Sequence, residues 1–190
     1  MDEACSSLYI DAYLYMQFHT ETKRLILRNI LPTDVDGMFE LDSDPDVHKY
    51  IGNKPFTTKR QSEENIKGVI KQYEDFGIGR WAMVHKETHE FMGWSGLKFN
   101  TVTLNKHTNF YDVGYRIIKR FWGKGYATES SIAALDYGFN TLYLDSIYGI
   151  TEKGNQASHH VLLKIGLKHI EDFYDEKANL NLRWYNISKS

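Results

Sequence analysis

The residues whose spacing carries the most chemistry are Arg120-Phe121-Trp122-Gly123-Lys124-Gly125, continued by Tyr126-Ala127-Thr128. They lie between a strand-like run ending at Ile117-Ile118 and a helix-like run over 125–141. The first amides of a helix lack intrahelical acceptors, and the helix dipole is positive at that end. Glycines at 123 and 125 clear side chains from the approach, so the turn suits a phosphate or pyrophosphate. Other phosphate loops fit poorly. A P-loop ends in Gly-Lys-Ser/Thr, which Gly123-Lys124-Gly125 does not supply, and the dinucleotide fingerprint needs glycine where Thr128 stands.

A second cluster, Asn155-Gln156-Ala157-Ser158, opens a run that closes at Lys164-Ile165-Gly166. Asparagine at a helix start is a good N-cap, and taken alone the capping role is the more frequent one. Its occurrence downstream of the glycine turn favours ligand contact for Asn155 and Ser158.

Several elements must hold these residues in place. Arg24–Asn29, Arg80–His85, Phe91–Phe99, Asn109–Ile118 and Asp145–Thr151 read as strands, as do 168–174 and 183–188 at the end of the chain. Thr33–Asp44 reads as a short helix between Pro32 and Pro45. Thr58-x-x-Gln61 matches a capping box ahead of Ile66, Val69, Ile70 and Tyr73, which predicts an amphipathic helix over 58–76 ending near Gly77. The run over 125–141 and Asn155–Ile165 complete the helices. The order is an α/β layout with a mixed central sheet. Residues 1–20 differ from the rest and are set aside as an extension, with Met16 an alternative start; 21–190 is a single domain.

With these elements around it, Arg120-Phe121-Trp122-Gly123-Lys124-Gly125 resembles the coenzyme A signature Arg/Gln-x-x-Gly-x-Gly/Ala of the GNAT acetyltransferases. Thr22-Lys-Arg-Leu-Ile-Leu-Arg28, Asp46-Val-His-Lys-Tyr50, Gly93-Trp94-Ser-Gly96 and Asp112-Val-Gly-Tyr115 resemble the branch that includes ribosomal-protein N-terminal acetyltransferases of the RimJ/RimL type. The resemblance implies the GNAT fold: a mostly antiparallel sheet of about six to seven strands, a splayed parallel pair at its centre, and about four flanking helices.

It also implies acetyl-CoA as acyl donor, no metal, and direct transfer of the acetyl group to a primary amine in a ternary complex. The acceptor would be a protein N-terminus or a small-molecule amine. Strands 110–118 and 145–151 would splay, the amides near Ile117 and Ile118 would meet the pantetheine or thioester carbonyl, and the amides from Arg120 through Phe121, Trp122, Gly123 and Lys124 to Gly125 would cradle the pyrophosphate, ahead of Tyr126 and Ala127. The charges of Arg120 and Lys124 would assist, Asn155 would face the pantetheine, and Ser158 would serve the departing sulfur. Asp112 is the implied base, acting through water, with a solvated carboxylate as the equal alternative; Glu40 and His159 are weaker candidates. Tyr50, Phe56 and Trp94 would line the acceptor side, although each alone is more often a core aromatic.

Other signals carry less. His85-Lys86-Glu87-Thr88-His89 lacks the glutamate placement and the helix of a zinc motif, and His159-His160 points two rings to different sides of a helix. A net charge of −2 argues against nucleic-acid binding. The single cysteine, Cys5, cannot pair within the chain, no apolar run reaches membrane-spanning length, and the acidic start is a poor signal peptide; a cytoplasmic location is expected, as monomer or homodimer. A polyamine- or aminoglycoside-specific enzyme is a narrower alternative, for which Asp42, Asp44 and Asp46 would supply an acidic rim. A non-catalytic acyl-CoA sensor on the same fold is another.

Overall fold

A computed structural model describes residues 18–189. Within these residues eight strands form one sheet: β1 (Phe18–Glu21), β2 (Leu25–Asn29), β3 (Trp81–His85), β4 (Phe91–Asn100), β5 (Phe110–Ile117), β6 (Ser146–Glu152), β7 (Lys168–Asp175) and β8 (Leu180–Ser188). Their order across the sheet is β1-β2-β3-β4-β5-β6-β8-β7, and only β5 and β6 run parallel. Among the described residues five α-helices accompany them: α1 (Val35–Ser43), α2 (Pro45–His48), α3 (Lys59–Phe76), α4 (Tyr126–Asn140) and α5 (Gln156–Lys164).

The differences from the sequence reading are local. The sheet gains a strand because β1, which begins in the segment set aside up to residue 20 and ends at Glu21, pairs antiparallel with β2. The expected helix over 33–44 is divided: a 3-10 turn at Pro32–Asp34 leads into α1, and Asp44 starts α2 afresh. The Asp44 carboxylate accepts from the Asp46 amide at 2.8 Å, and Pro45 takes a first-turn position where no amide is needed. At α3 the Gln61 side chain accepts from the amides of Thr57 and Thr58 at 2.8 and 3.0 Å, as the capping box predicts. Gly77, at φ +69°, closes that helix with its amide on Tyr73 O.

Two features position the site. β5 and β6 meet in register at Asp112 and Tyr148 and separate beyond that pair, so Tyr115–Ile117 face a gap rather than a neighbouring strand. On its other side β5 is fixed to β4 from Asn100↔Phe110 to Gly93↔Ile117. Apolar packing sets the level of the helices over the sheet: α4 lies on β4 and β5, and a Cβ at Gly138 would collide with Ile147 and Leu97 at 2.6 and 2.9 Å. Trp81, Trp184 and Tyr185 are fully buried in the interior. Among the described residues, no helix is long and apolar enough to cross a membrane.

Candidate active site

Two cavities open on the gap between β5 and β6. The larger, about 590 Å³, runs from the residues of α2 and the loop after it to the first turns of α4 and α5. The smaller, about 280 Å³, is lined by Arg80, Trp94 and Asp112 on one side and by Ile150, Glu152, Leu162, Leu180 and Leu182 on the other. Tyr50, Ile51, Tyr115, Arg116, Asn155 and Ser158 line both, so the cavities meet at these side chains.

At one end of the larger cavity, Ile118–Trp122 make a tight turn in which the amides of Phe121 and Trp122 donate to Ile118 O and Lys119 O at 2.9 and 3.0 Å. Gly123 and Gly125 then take φ +74° and +81°, a region that other residues enter only with strain. A Cβ on Gly123 would meet nothing within 4 Å, so the glycine is required by the backbone and leaves the space in front of it open. The first intrahelical bond of α4 is Glu129 N to Gly125 O, which leaves the amides of Tyr126, Ala127 and Thr128 without helical acceptors. Arg24, in the bend just before β2, braces this turn. Its guanidinium donates to Lys124 O at 2.9 Å and Glu129 Oε2 at 2.7 Å, and lies 4.2 Å from the Tyr126 ring centroid.

Where the cavities meet, the Tyr115 hydroxyl and Ser158 Oγ are 2.9 Å apart. Burial pushes the Tyr115 phenol up to about 12, against a smaller lowering from the Ser158 hydrogen bond. Asn155 serves as the N-cap of α5, its Oδ1 accepting from the Ser158 amide at 3.0 Å, and it lines both cavities as well. A separated parallel pair, an uncapped helix start with two left-handed glycines, and a hydroxyl pair at the junction make a frame for a long phosphorylated ligand to meet a second one.

The sequence profile of the acetyltransferase (GNAT) domain family matches residues 24–168. The chain belongs to this family. Its relatives include the uncharacterized N-acetyltransferase YoaA of Bacillus subtilis, which is 32% identical over 148 residues, covering 78% of this chain and 81% of that one. A GNAT-family acetyltransferase structure from Bacillus anthracis superposes with a TM-score of 0.72 at 24% identity, over 88% of this chain and 96% of that one. The ribosomal-protein α-N-acetyltransferase RimL, solved with coenzyme A, shares the fold with a TM-score of 0.72 at 16% identity, over 90% and 98% of the chains. The chain is therefore an N-acetyltransferase, of a family that uses acetyl-CoA and an amine acceptor.

Within this acetyltransferase, Ile117, Phe121, Trp122, Gly123, Gly125, Tyr126, Ala127, Asn155 and Ser158 all line the larger cavity. Three residues expected with them do not. Ile118 is buried and its amide donates to Met92 O at 2.9 Å. Arg120 turns to Glu40 and Glu90, with its guanidinium 4.5 Å from the Phe121 ring centroid. Lys124 Nζ lies 5.6 Å from the same ring. Of the acceptor-side aromatics, Tyr50 lines both cavities and Trp94 the smaller one, whereas Phe56 lines neither and packs its ring against His48.

The acids are rearranged more deeply. Asp112 lines the smaller cavity, yet its Oδ2 pairs with Arg80 and its Oδ1 accepts from Asn100 Nδ2 at 2.6 Å. Asp42 is fully buried, paired with Arg116 and accepting from Asn65 Nδ2 at 3.2 Å; Asp46 pairs with Lys119. With Asp44 capping α2, none of these three aspartates offers a free acidic rim. Glu40 and His159 line neither cavity; His159 Nδ1 is 2.8 Å from the Tyr185 hydroxyl. Among the described residues, no group of three or more His, Cys, Asp or Glu side chains is placed to hold a metal.

Tyr115, Arg116, Arg80 and Glu152 were given no site role from the sequence, Tyr115 appearing only in the Asp112-Val-Gly-Tyr115 motif. Tyr115 had a signal: strand alternation puts it on the side of Ile117, two residues on. Arg80 and Arg116 had none, because their placement on either side of Trp94, 5.5 and 5.1 Å from its ring centroid, follows from the order of strands.

Proposed function

We propose that this acetyltransferase holds acetyl-CoA in the larger cavity and passes the acetyl group directly to a primary amine entering through the smaller one. The acceptor class remains a small-molecule amine or a protein N-terminus. The observation that carries the reading is the Tyr115–Ser158 hydroxyl pair at the one place where the two cavities share walls. In this reading Gly123, Gly125 and the free amides of Tyr126, Ala127 and Thr128 hold the pyrophosphate, and Ile117 and Asn155 border the pantetheine.

The neutral amine nitrogen attacks the thioester carbonyl carbon; the N–C bond forms, the C–S bond breaks, and the amine proton leaves to water. Ser158 Oγ then faces the developing thiolate. A tyrosine near 12 is a weaker acid than an ordinary thiol near 8.5, by roughly 3.5 units or about 5 kcal/mol, so full proton transfer from Tyr115 is uphill. Tyr115 therefore acts by donating to Ser158 Oγ, which orients the serine proton toward sulfur and stabilises the thiolate by hydrogen bonding. Asp112, with both oxygens engaged, fixes Arg80 beside Trp94 and is assigned a positioning role rather than that of base. A cytoplasmic place of action belongs to the same reading and rests on Cys5 being the only cysteine.

Calorimetric titration with acetyl-CoA tests the reading, using the parent and a Gly123→Asp/Gly125→Asp double variant. One-site binding by the parent, lost in the variant, is the expected result. A folded parent that does not bind acetyl-CoA would overturn it.

A further inference from the structure

The acceptor cavity has one carboxylate left over. Asp112 is held by Arg80 and Asn100, as described above. Glu152, the last residue of β6, lines the same cavity, and among the described residues its carboxylate makes neither an ion pair nor a hydrogen bond. An acceptor without a counter-charge would desolvate this carboxylate with no compensation, whereas a cation would be drawn to it.

A second observation places an aromatic ring at the same spot. A Cβ built on Gly154 would stand 3.2 Å from Tyr50 Cε1 and 3.8 Å from Glu152 Oε1, so ring and carboxylate converge on the gap that this glycine leaves open. A carboxylate with an aromatic ring is a recognition pair for an alkylammonium group. Lys49 Nζ is 5.2 Å from the Tyr50 ring centroid, but it lines the larger cavity and makes no ion pair with Glu152. Ile150, Leu162, Leu180 and Leu182 add an aliphatic wall on this side of the cavity, beside Thr151. The reacting nitrogen must be uncharged to attack, so the cation met by Glu152 is a different nitrogen of the same molecule.

We infer that the acceptor is a short aliphatic diamine, whose reacting amine reaches the Tyr115–Ser158 junction while its second, charged amino group is read by Glu152 and Tyr50. The inference rests on the acetyl-transfer reading above and names the acceptor class for it.

Cadaverine and pentylamine, equal in chain length and differing by one ammonium group, test this with the parent and Glu152→Gln. Thiol release and calorimetric binding of each amine to the coenzyme A-loaded protein are the two readouts. The parent is expected to use cadaverine with a kcat/KM about tenfold or more above pentylamine. In Glu152→Gln that preference shrinks to about twofold through KM for the diamine, with acetyl-CoA binding unchanged. Equal use of both amines by the parent, or a preference that survives Glu152→Gln, overturns the inference. Should acetyl-CoA bind and neither amine release thiol, the binding arm decides: heat with cadaverine that depends on Glu152 supports the diamine site, and its absence overturns it. Failure to bind acetyl-CoA removes the acetyl-transfer reading instead, and cadaverine binding to the unloaded parent and variant then decides the diamine site by the same criterion.

Discussion

Tyr115 on β5 and Ser158 on α5 place their hydroxyl oxygens 2.9 Å apart across 43 residues of chain, at the point where both cavities open. If the pair stabilises the leaving thiolate as one unit, Ser158→Ala lowers kcat by about 100-fold, the lower end of the range for removing one such donor. Tyr115→Phe gives a smaller loss, and the double variant is little worse than Ser158→Ala alone. Steady-state thiol release with saturating acetyl-CoA measures all three.

Asp112 separates a positioning role from a basic one. Asp112→Ala leaves the Arg80 guanidinium, 12% exposed, without its carboxylate, and is expected to cost about 3 kcal/mol of stability in a denaturant titration. Asp112→Asn keeps the shape and one acceptor oxygen near Arg80, so its turnover at fixed temperature should stay within about tenfold of the parent. A loss of a thousandfold in a folded Asp112→Asn protein would restore the basic role.

Arg24 acts on the glycine turn from outside the cavity. Because its side chain is 37% exposed, the Arg24–Glu129 pair adds under about 1 kcal/mol to global stability. Arg24→Ala also removes the donor to Lys124 O and the cover on Tyr126, so the turn loosens. The expected result is a Tm within a few degrees of the parent and an acetyl-CoA Kd raised by about 5- to 10-fold, read by calorimetry.

His48 gives stability a pH dependence. Burial, followed by the charge of Arg116, lowers its pKa below 6.5, against a smaller raising by Asp42, whose Oδ1 lies 3.5 Å from Nε2. The unfolded chain therefore takes up a proton at a higher pH than the folded one. The neutral form is favoured in full above about pH 6.5, and stability falls as pH drops below that value. His19 shifts in the same direction, mainly through burial, and adds to the slope. Denaturant midpoints across that pH range should decline toward acid, and a His48→Phe variant that still folds should show a shallower decline.

Much of this was written locally in the chain. The turn at Gly123 and Gly125, the cap at Asn155, the capping box at Thr58 and Gln61, and the stop at Gly77 each rest on interactions within about four residues, which spacing alone reports. Strand periodicity located β2 to β8 in the same way, and the parallel, separating pair came with the family resemblance.

What the charges do was decided by tertiary structure. Arg80 reaches Asp112 across 32 residues, Arg116 reaches Asp42 across 74 and Lys119 reaches Asp46 across 73, so three aspartates that read as free acid are held by cations from other elements. Arg120 shows the converse: a cation within the signature itself turns away from the larger cavity to Glu40 and Glu90. Helix starts and glycine turns are properties of consecutive residues. Whether a carboxylate is free depends on which strand the sheet order sets beside it, and that is fixed only when the whole chain has packed.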